Sequence, residues 1–148
     1  MKKTVLAILL ALALVMMPLC SLAEGGTIVI LTPTEDHGWT GSVATFAQAS
    51  ADEINSQAMY TAELLTSAGA DEQIDKIDDL VANRADEIAG VVILPMDNTV
   101  ENAIMSLIAN DIPYVAFDRI IDGVKDDAVA NVSGDNEGVG AAVAALVR

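Results

Sequence analysis

Two places in the chain bring polar, charged or aromatic side chains together at spacings that permit binding or catalysis. The first is the stretch Thr34–Gly41, TEDHGWTG, where the only histidine and the only tryptophan stand two positions apart, just after Asp36. The second is the dipeptide Asp118-Arg119. Sugar hydroxyls call for planar groups that make several hydrogen bonds at once, and the apolar C–H face of a sugar ring calls for an aromatic plate. Asp36 and Asp118 supply acceptors, Arg119 supplies a forked donor, and Trp39 supplies the plate. The neighbours of Trp39 are Asp36, His37, Gly38 and Gly41, too polar and too flexible for a core position, which favours a site over burial. His37 is a lone histidine on a loop, more suited to one hydrogen bond than to catalysis. With no cysteine or second histidine beside it, a zinc site is not expected.

Each candidate also has a plainer reading. Asp118-Arg119 could be an ordinary strand-end ion pair worth at most about 1 kcal/mol. Asp97 and Asp135 read as helix N-caps, and the carboxylates between Asp71 and Asp79 as a solvated helix face. Catalytic readings find little support. The sequence after the first apolar run, TPTEDHG, matches neither GxGxxG nor GxxxxGK[ST], and no GxSxG elbow occurs. Asp36 and Asp118 could face one another as the two carboxylates of a glycoside hydrolase, but an aspartate beside an arginine makes a poor general acid. No catalytic residue, metal or cofactor is assigned.

The elements that must position these groups alternate regularly. Thr27–Leu31 and Gly90–Leu94 are short continuous apolar runs, as expected of strands buried on both faces of a parallel sheet. Met59–Leu65, Tyr114–Phe117 and Val129–Ser133 read as further strands, and Ile120–Asp127 as an irregular excursion. Between them, mostly apolar residues, with Ser50 and Arg84 among them, share one face at spacings of three and four: Val43, Phe46, Ala47, Ser50 and Ile54; Ile74, Ile77, Leu80, Val81 and Arg84; Val100, Ala103, Ile104, Leu107 and Ile108. A small-residue helix runs from Gly134-Asp135-Asn136 to the last residue. Strict alternation implies an α/β fold, a parallel sheet with right-handed crossovers and helices on both faces. Every strand exit then points to one rim, which gathers Asp36–Thr40, Pro95-Met96-Asp97, Asp118-Arg119 and Asp135-Asn136.

The first 23 residues stand apart. Lys2 and Lys3 precede an apolar run from Thr4 to about Met17, and Ser21-Leu22-Ala23 resembles a signal-peptidase site. The run is shorter than the roughly 20 residues that span a bilayer, so residues 1–23 are expected to be a signal peptide. A lipid on Cys20 is the alternative, disfavoured by Pro18 and Leu19 before it. Removing residues 1–23 takes Lys2 and Lys3 from the seven basic residues, leaving five against 22 acidic ones, and removes the one cysteine. Such a surface suits neither nucleic acid nor an anionic membrane, and no disulfide or thiol nucleophile remains.

With its ILPMD, IPYVAFDR and VSGDNEGVGA segments, the chain from about Thr27 to its end resembles the type I periplasmic sugar-binding proteins of ABC transporters, the ribose-binding-like branch. The resemblance implies a Rossmann-like N-terminal lobe over residues 24–134. It further implies that residues 135–148 form the first helix of a second lobe, so that the sequence looks like an N-terminal fragment. It implies sugar contacts from Asp118 and Arg119, and from Asp36, His37 and Trp39 with Thr40 beside them. Thr40 stands where the family commonly has a second aromatic. The ligand implied is a monosaccharide or polyol, the partner an ABC permease, and the location the periplasm or cell envelope. A chemoreceptor or quorum-signal binding protein of the same fold and a secreted carbohydrate-active enzyme are the alternatives.

Overall fold

The computed structural model describes residues 25–34 and 38–147. The expected signal peptide, Cys20, Asp36 and His37 lie outside the described residues. Five strands, β1 (Thr27–Pro33), β2 (Thr61–Ser67), β3 (Ile88–Ile93), β4 (Tyr114–Phe117) and β5 (Ala130–Val132), alternate with helices α1 (Gly38–Ser56), α2 (Ala70–Arg84), α3 (Glu101–Ala109) and, after β5, α4 (Asn136–Leu146). The strands form one parallel sheet in the order β2-β1-β3-β4-β5. The strand order reverses at β1, whose Ile28 pairs with Ala62 of β2 on one side and Gly90 of β3 on the other. The crevice beyond the carboxyl ends of β1 and β3 is therefore where such a sheet receives ligands.

The two faces of the sheet are unequally covered. On one, Val29, Leu31, Val91 and Ile93 pack with Ile77 and Leu80 of α2 and Ile104 and Leu107 of α3 into a single core. Each such side chain, fully buried, stabilises the fold by roughly 1.5–3 kcal/mol. On the other face only Ile30, Ala51 and Ala62 are buried together, under α1. Beside α1 the sheet is bare, and Ile28, Val92, Val115, Phe117 and Val132 floor an open apolar groove of about 520 Å3.

Helix α1 differs from the expected face at two positions, Phe46 and Ser50, both of which are exposed. Val43 is buried as the spacing predicts, but Ala44 and Ala51 are the most deeply buried residues of the helix, and Phe46 is 72% exposed. Small side chains let the helix approach the strands closely, and this turns Phe46 sideways over the uncovered strands, where it lines the groove. The inner faces of α2 and α3 agree with expectation, with one addition: Gln73 is fully buried. Helix α4 buries none of its residues.

Local chemistry sets the element ends. Asp97 accepts from the Thr99 amide at 2.8 Å and its hydroxyl at 2.5 Å, capping the 3-10 turn Asn98–Val100 that leads into α3. Asp135 accepts from the Gly138 amide at 2.8 Å at the start of α4. Both caps are those the sequence suggests. Ahead of α2, Glu72 reaches back to the Ala68 amide at 2.7 Å. The edge strand β2 is met by the side-chain amide of Asn55, which bonds both Ala62 N–H and Ala62 C=O. The excursion after β4 is anchored: Ile121 and Val124 are buried, and the Tyr114 hydroxyl donates to the Val124 carbonyl.

Candidate functional site

The rim is assembled from strand exits. Thr34 N–H donates to the Ser67 carbonyl at 2.9 Å, joining the exits of β1 and β2. Leu94 N–H donates to the Leu31 carbonyl at 2.9 Å, carrying the β1–β3 ladder one residue past β3. Pro95 has no N–H to extend it. At the exit of β4, Asp118 N–H donates to the Val132 carbonyl at 2.7 Å, and Arg119 N–H turns back to Phe117 at 2.8 Å.

Asp118 adopts φ +63, the left-handed region that costs a residue with a Cβ about 1–2 kcal/mol, somewhat less for Asp. Non-glycine residues in this region concentrate at functional sites and turns. The conformation ends β4 abruptly and leaves Asp118 and Arg119 exposed on the rim.

Arg119 is not tied to Asp118. Its Nη1 donates to the carbonyl of Pro95 at 2.8 Å and to that of Met96, so among the described residues the guanidinium is held by main-chain oxygens, and the plain ion pair does not form. The exits of β3 and β4 are thereby stitched together. The guanidinium also stands near Asp97. The Thr99 hydroxyl and amide hold the Asp97 carboxyl below its ordinary value, and the charge of Arg119 acts in the same direction.

Trp39 lies in the first turn of α1 and is 64% exposed, which rules out a core role. It borders the apolar groove together with Phe117, the residue before Asp118. Gly38 enters the helix with φ +62, a conformation only glycine adopts without strain. Thr40 follows in the same turn, half-buried. Of the six expected site residues the structure thus brings Asp118 and Arg119 together with the Pro95–Asp97 segment, and sets Trp39 and Thr40 at the start of α1. Asp36 and His37 lie outside the described residues.

Gln73 is not among the expected residues. Its Nε2 donates to the Leu94 carbonyl at 3.1 Å, and its Oε1 accepts from Met96 N–H at 2.9 Å. The signal was present, since positions 73, 77, 80 and 84 share one helix face and a polar residue on a buried stripe requires partners. Among the described residues, no group of three or more His, Cys, Asp or Glu could hold a metal ion, and no helix is long and apolar enough to cross a membrane.

A family model described as a periplasmic binding protein domain matches residues 28–148. No curated protein matches the chain at a significant level. Among solved structures, an ABC transporter solute-binding protein from Agrobacterium vitis with bound D-fucose is 19% identical, with a TM-score of 0.64, over 78% of this chain and 39% of that one. An ABC sugar transporter subunit from Rhodobacter sphaeroides is 22% identical, with a TM-score of 0.65, over 84% of this chain and 40% of that one. A 3-dehydroquinate dehydratase-like protein from Bifidobacterium longum shares the fold more distantly, at 16% identity and a TM-score of 0.51 over 80% of this chain and 92% of that one. The chain spans about 40% of the length of the two transporter proteins.

Proposed function

Because the chain belongs to the periplasmic binding protein domain family, we propose that it binds a monosaccharide or polyol outside the cytoplasm for delivery to an ABC permease, without performing chemistry on it. The observation that carries this reading is the stitched rim: Arg119 joins the β4 exit to the β3 exit at the strand-order reversal, beside Asp118 in its left-handed conformation. Bridged in this way, Asp118 offers two carboxylate oxygens to hydroxyls, and the guanidinium nitrogens not bound to Pro95 and Met96 offer donors. Trp39 offers its exposed ring to the C–H face of a sugar, and Asp36, His37 and Thr40 complete the loop after β1. The D-fucose held by the Agrobacterium vitis protein fits the same ligand class. In this reading residues 1–23 direct export, residues 24–134 form one lobe, and α4 leads towards a second lobe that closes over the ligand.

The experiment is a titration of Trp39 fluorescence with D-fucose and a panel of pentoses, hexoses and polyols. Trp39 is the only tryptophan, so the signal reports one position. A saturable change with one member of the panel is expected, lost in Arg119→Ala. An Arg119→Ala protein that responds like the native one refutes the sugar assignment, as does silence across the panel when the chain is joined to its second lobe.

A further inference from the structure

We infer that Gln73 is the positioning residue for the wall of the ligand rim, its side-chain amide continuing the hydrogen bonding of β3 where the strand ladder stops. The inference rests on the reading above for what the rim binds, but not for its geometry.

Among the described residues, the β3 segment past Leu94 makes no backbone bond to β1, which runs on only to Pro33, a residue with no N–H to give. Its Leu94 carbonyl and Met96 N–H would be left without partners in a place where burial makes an unpaired polar group costly. The Gln73 amide fits between them with one donor and one acceptor, as a peptide unit of a neighbouring strand would. The Gln73 side chain is fully buried, and the bond to Leu94 lies out of reach of water. From the other side Arg119 takes the carbonyls of Pro95 and Met96. Three successive carbonyls, 94 to 96, are thus each fixed by a side chain from another element, and Asp97 follows directly. A residue that only filled space here would be apolar. The polar choice, with both ends satisfied, sets where the backbone runs, and through it where Arg119 can rest.

The test compares the native chain with Gln73→Met, which keeps the volume and loses both bonds, and Gln73→Glu, which keeps the shape and makes bonding depend on protonation. The main readout is the hydrogen-exchange rate of the Met96 amide by NMR, each variant compared with the native protein at the same pH. In Gln73→Met, Met96 should exchange roughly tenfold to a hundredfold faster, while core amides such as that of Leu107 keep their native rates. In Gln73→Glu the neutral acid donates from its hydroxyl to the Leu94 carbonyl and accepts from Met96, so protection should be native at low pH. As the pH rises the carboxylate goes on accepting from Met96 but can no longer donate to Leu94, so Met96 stays protected and the Leu94 carbonyl is the group that loses its bond. Native-like Met96 exchange in Gln73→Met overturns the inference, as does a Gln73→Glu protein whose Met96 amide is unprotected at low pH, where the neutral acid can make both bonds. If Gln73→Glu fails to fold at neutral pH, Gln73→Met decides. Titrating D-fucose in parallel separates the two readings: a native chain joined to its second lobe and blind to sugars counts against the proposed function, while the Met96 rates still decide the role of Gln73.

Discussion

Asp118 offers a test in which the usual order of two substitutions is reversed. At an ordinary position, replacing a residue by glycine costs about 0.5–1 kcal/mol more than replacing it by alanine, because glycine has more freedom to lose on folding. At φ +63 alanine must hold the left-handed conformation at about 1–2 kcal/mol, and glycine holds it without steric cost. Subtracting the entropic penalty of glycine from the strain of alanine leaves Asp118→Gly more stable than Asp118→Ala by about 0–1.5 kcal/mol, centred just below 1. With a urea slope of about 2 kcal/mol/M, the central value separates the two midpoints by about 0.4 M. Urea unfolding followed by far-UV circular dichroism measures it. The Asp118 N–H bond to Val132 survives in both variants, so the comparison isolates backbone strain. Both proteins lose the carboxylate and should lose any sugar response equally. An Asp118→Ala protein more stable than Asp118→Gly would show that the β4 exit is not strained and would remove one of the grounds for placing the site there.

Two further outcomes follow from the core and the cap. Leu107, fully buried between α3 and the sheet, should cost 2–5 kcal/mol when cut to alanine, while Met105 on the exposed side of the same helix should cost less than about 0.5; equal losses by chemical denaturation would contradict the core assignment. Asp97 has a folded-state value below its ordinary one, chiefly through Thr99 with help from Arg119. Its contribution is therefore fully present above about pH 4, the ordinary aspartate value, and is lost as the pH falls through the lower folded value. The Thr99 amide resonance should accordingly titrate with a midpoint below 4, and Asp97→Asn should abolish the transition; a midpoint above the ordinary value would refute the cap geometry.

Much of the fold is legible in the sequence because buried parallel strands are continuous apolar runs and their helices are periodic. Gly90–Leu94 and the α3 face of Val100, Ala103, Ile104 and Leu107 needed no tertiary information. The α1 face did. Periodicity gives a stripe, but it does not say that two alanines are buried deepest or that Phe46 overlooks an uncovered part of the sheet. In the site, residue type alone marks Trp39 and Asp118-Arg119 as candidates. What Arg119 binds depends on the separation of two strand exits, which no local pattern encodes. Gln73 was hidden for the opposite reason: a glutamine looks like surface, and only its place on the stripe of Ile77 and Leu80 betrays burial. The tie from Tyr114 to Val124 spans an irregular loop and leaves no periodic trace.

The bare side of the sheet has a colloidal consequence. Trp39, Phe46 and Val132 stand well exposed around an apolar groove, and surfaces of this kind favour contact between molecules. The same chain carries a formal net charge of −15, so two copies approaching through that side also bring two acidic exteriors together. The attraction is short-ranged and indifferent to salt, whereas the repulsion reaches about 10 Å at 0.1 M ionic strength and shrinks as salt is added. On this balance dilute buffer is expected to keep the molecules apart, and concentrated salt to bring the uncovered strands within reach of one another, which light scattering across a salt series would read.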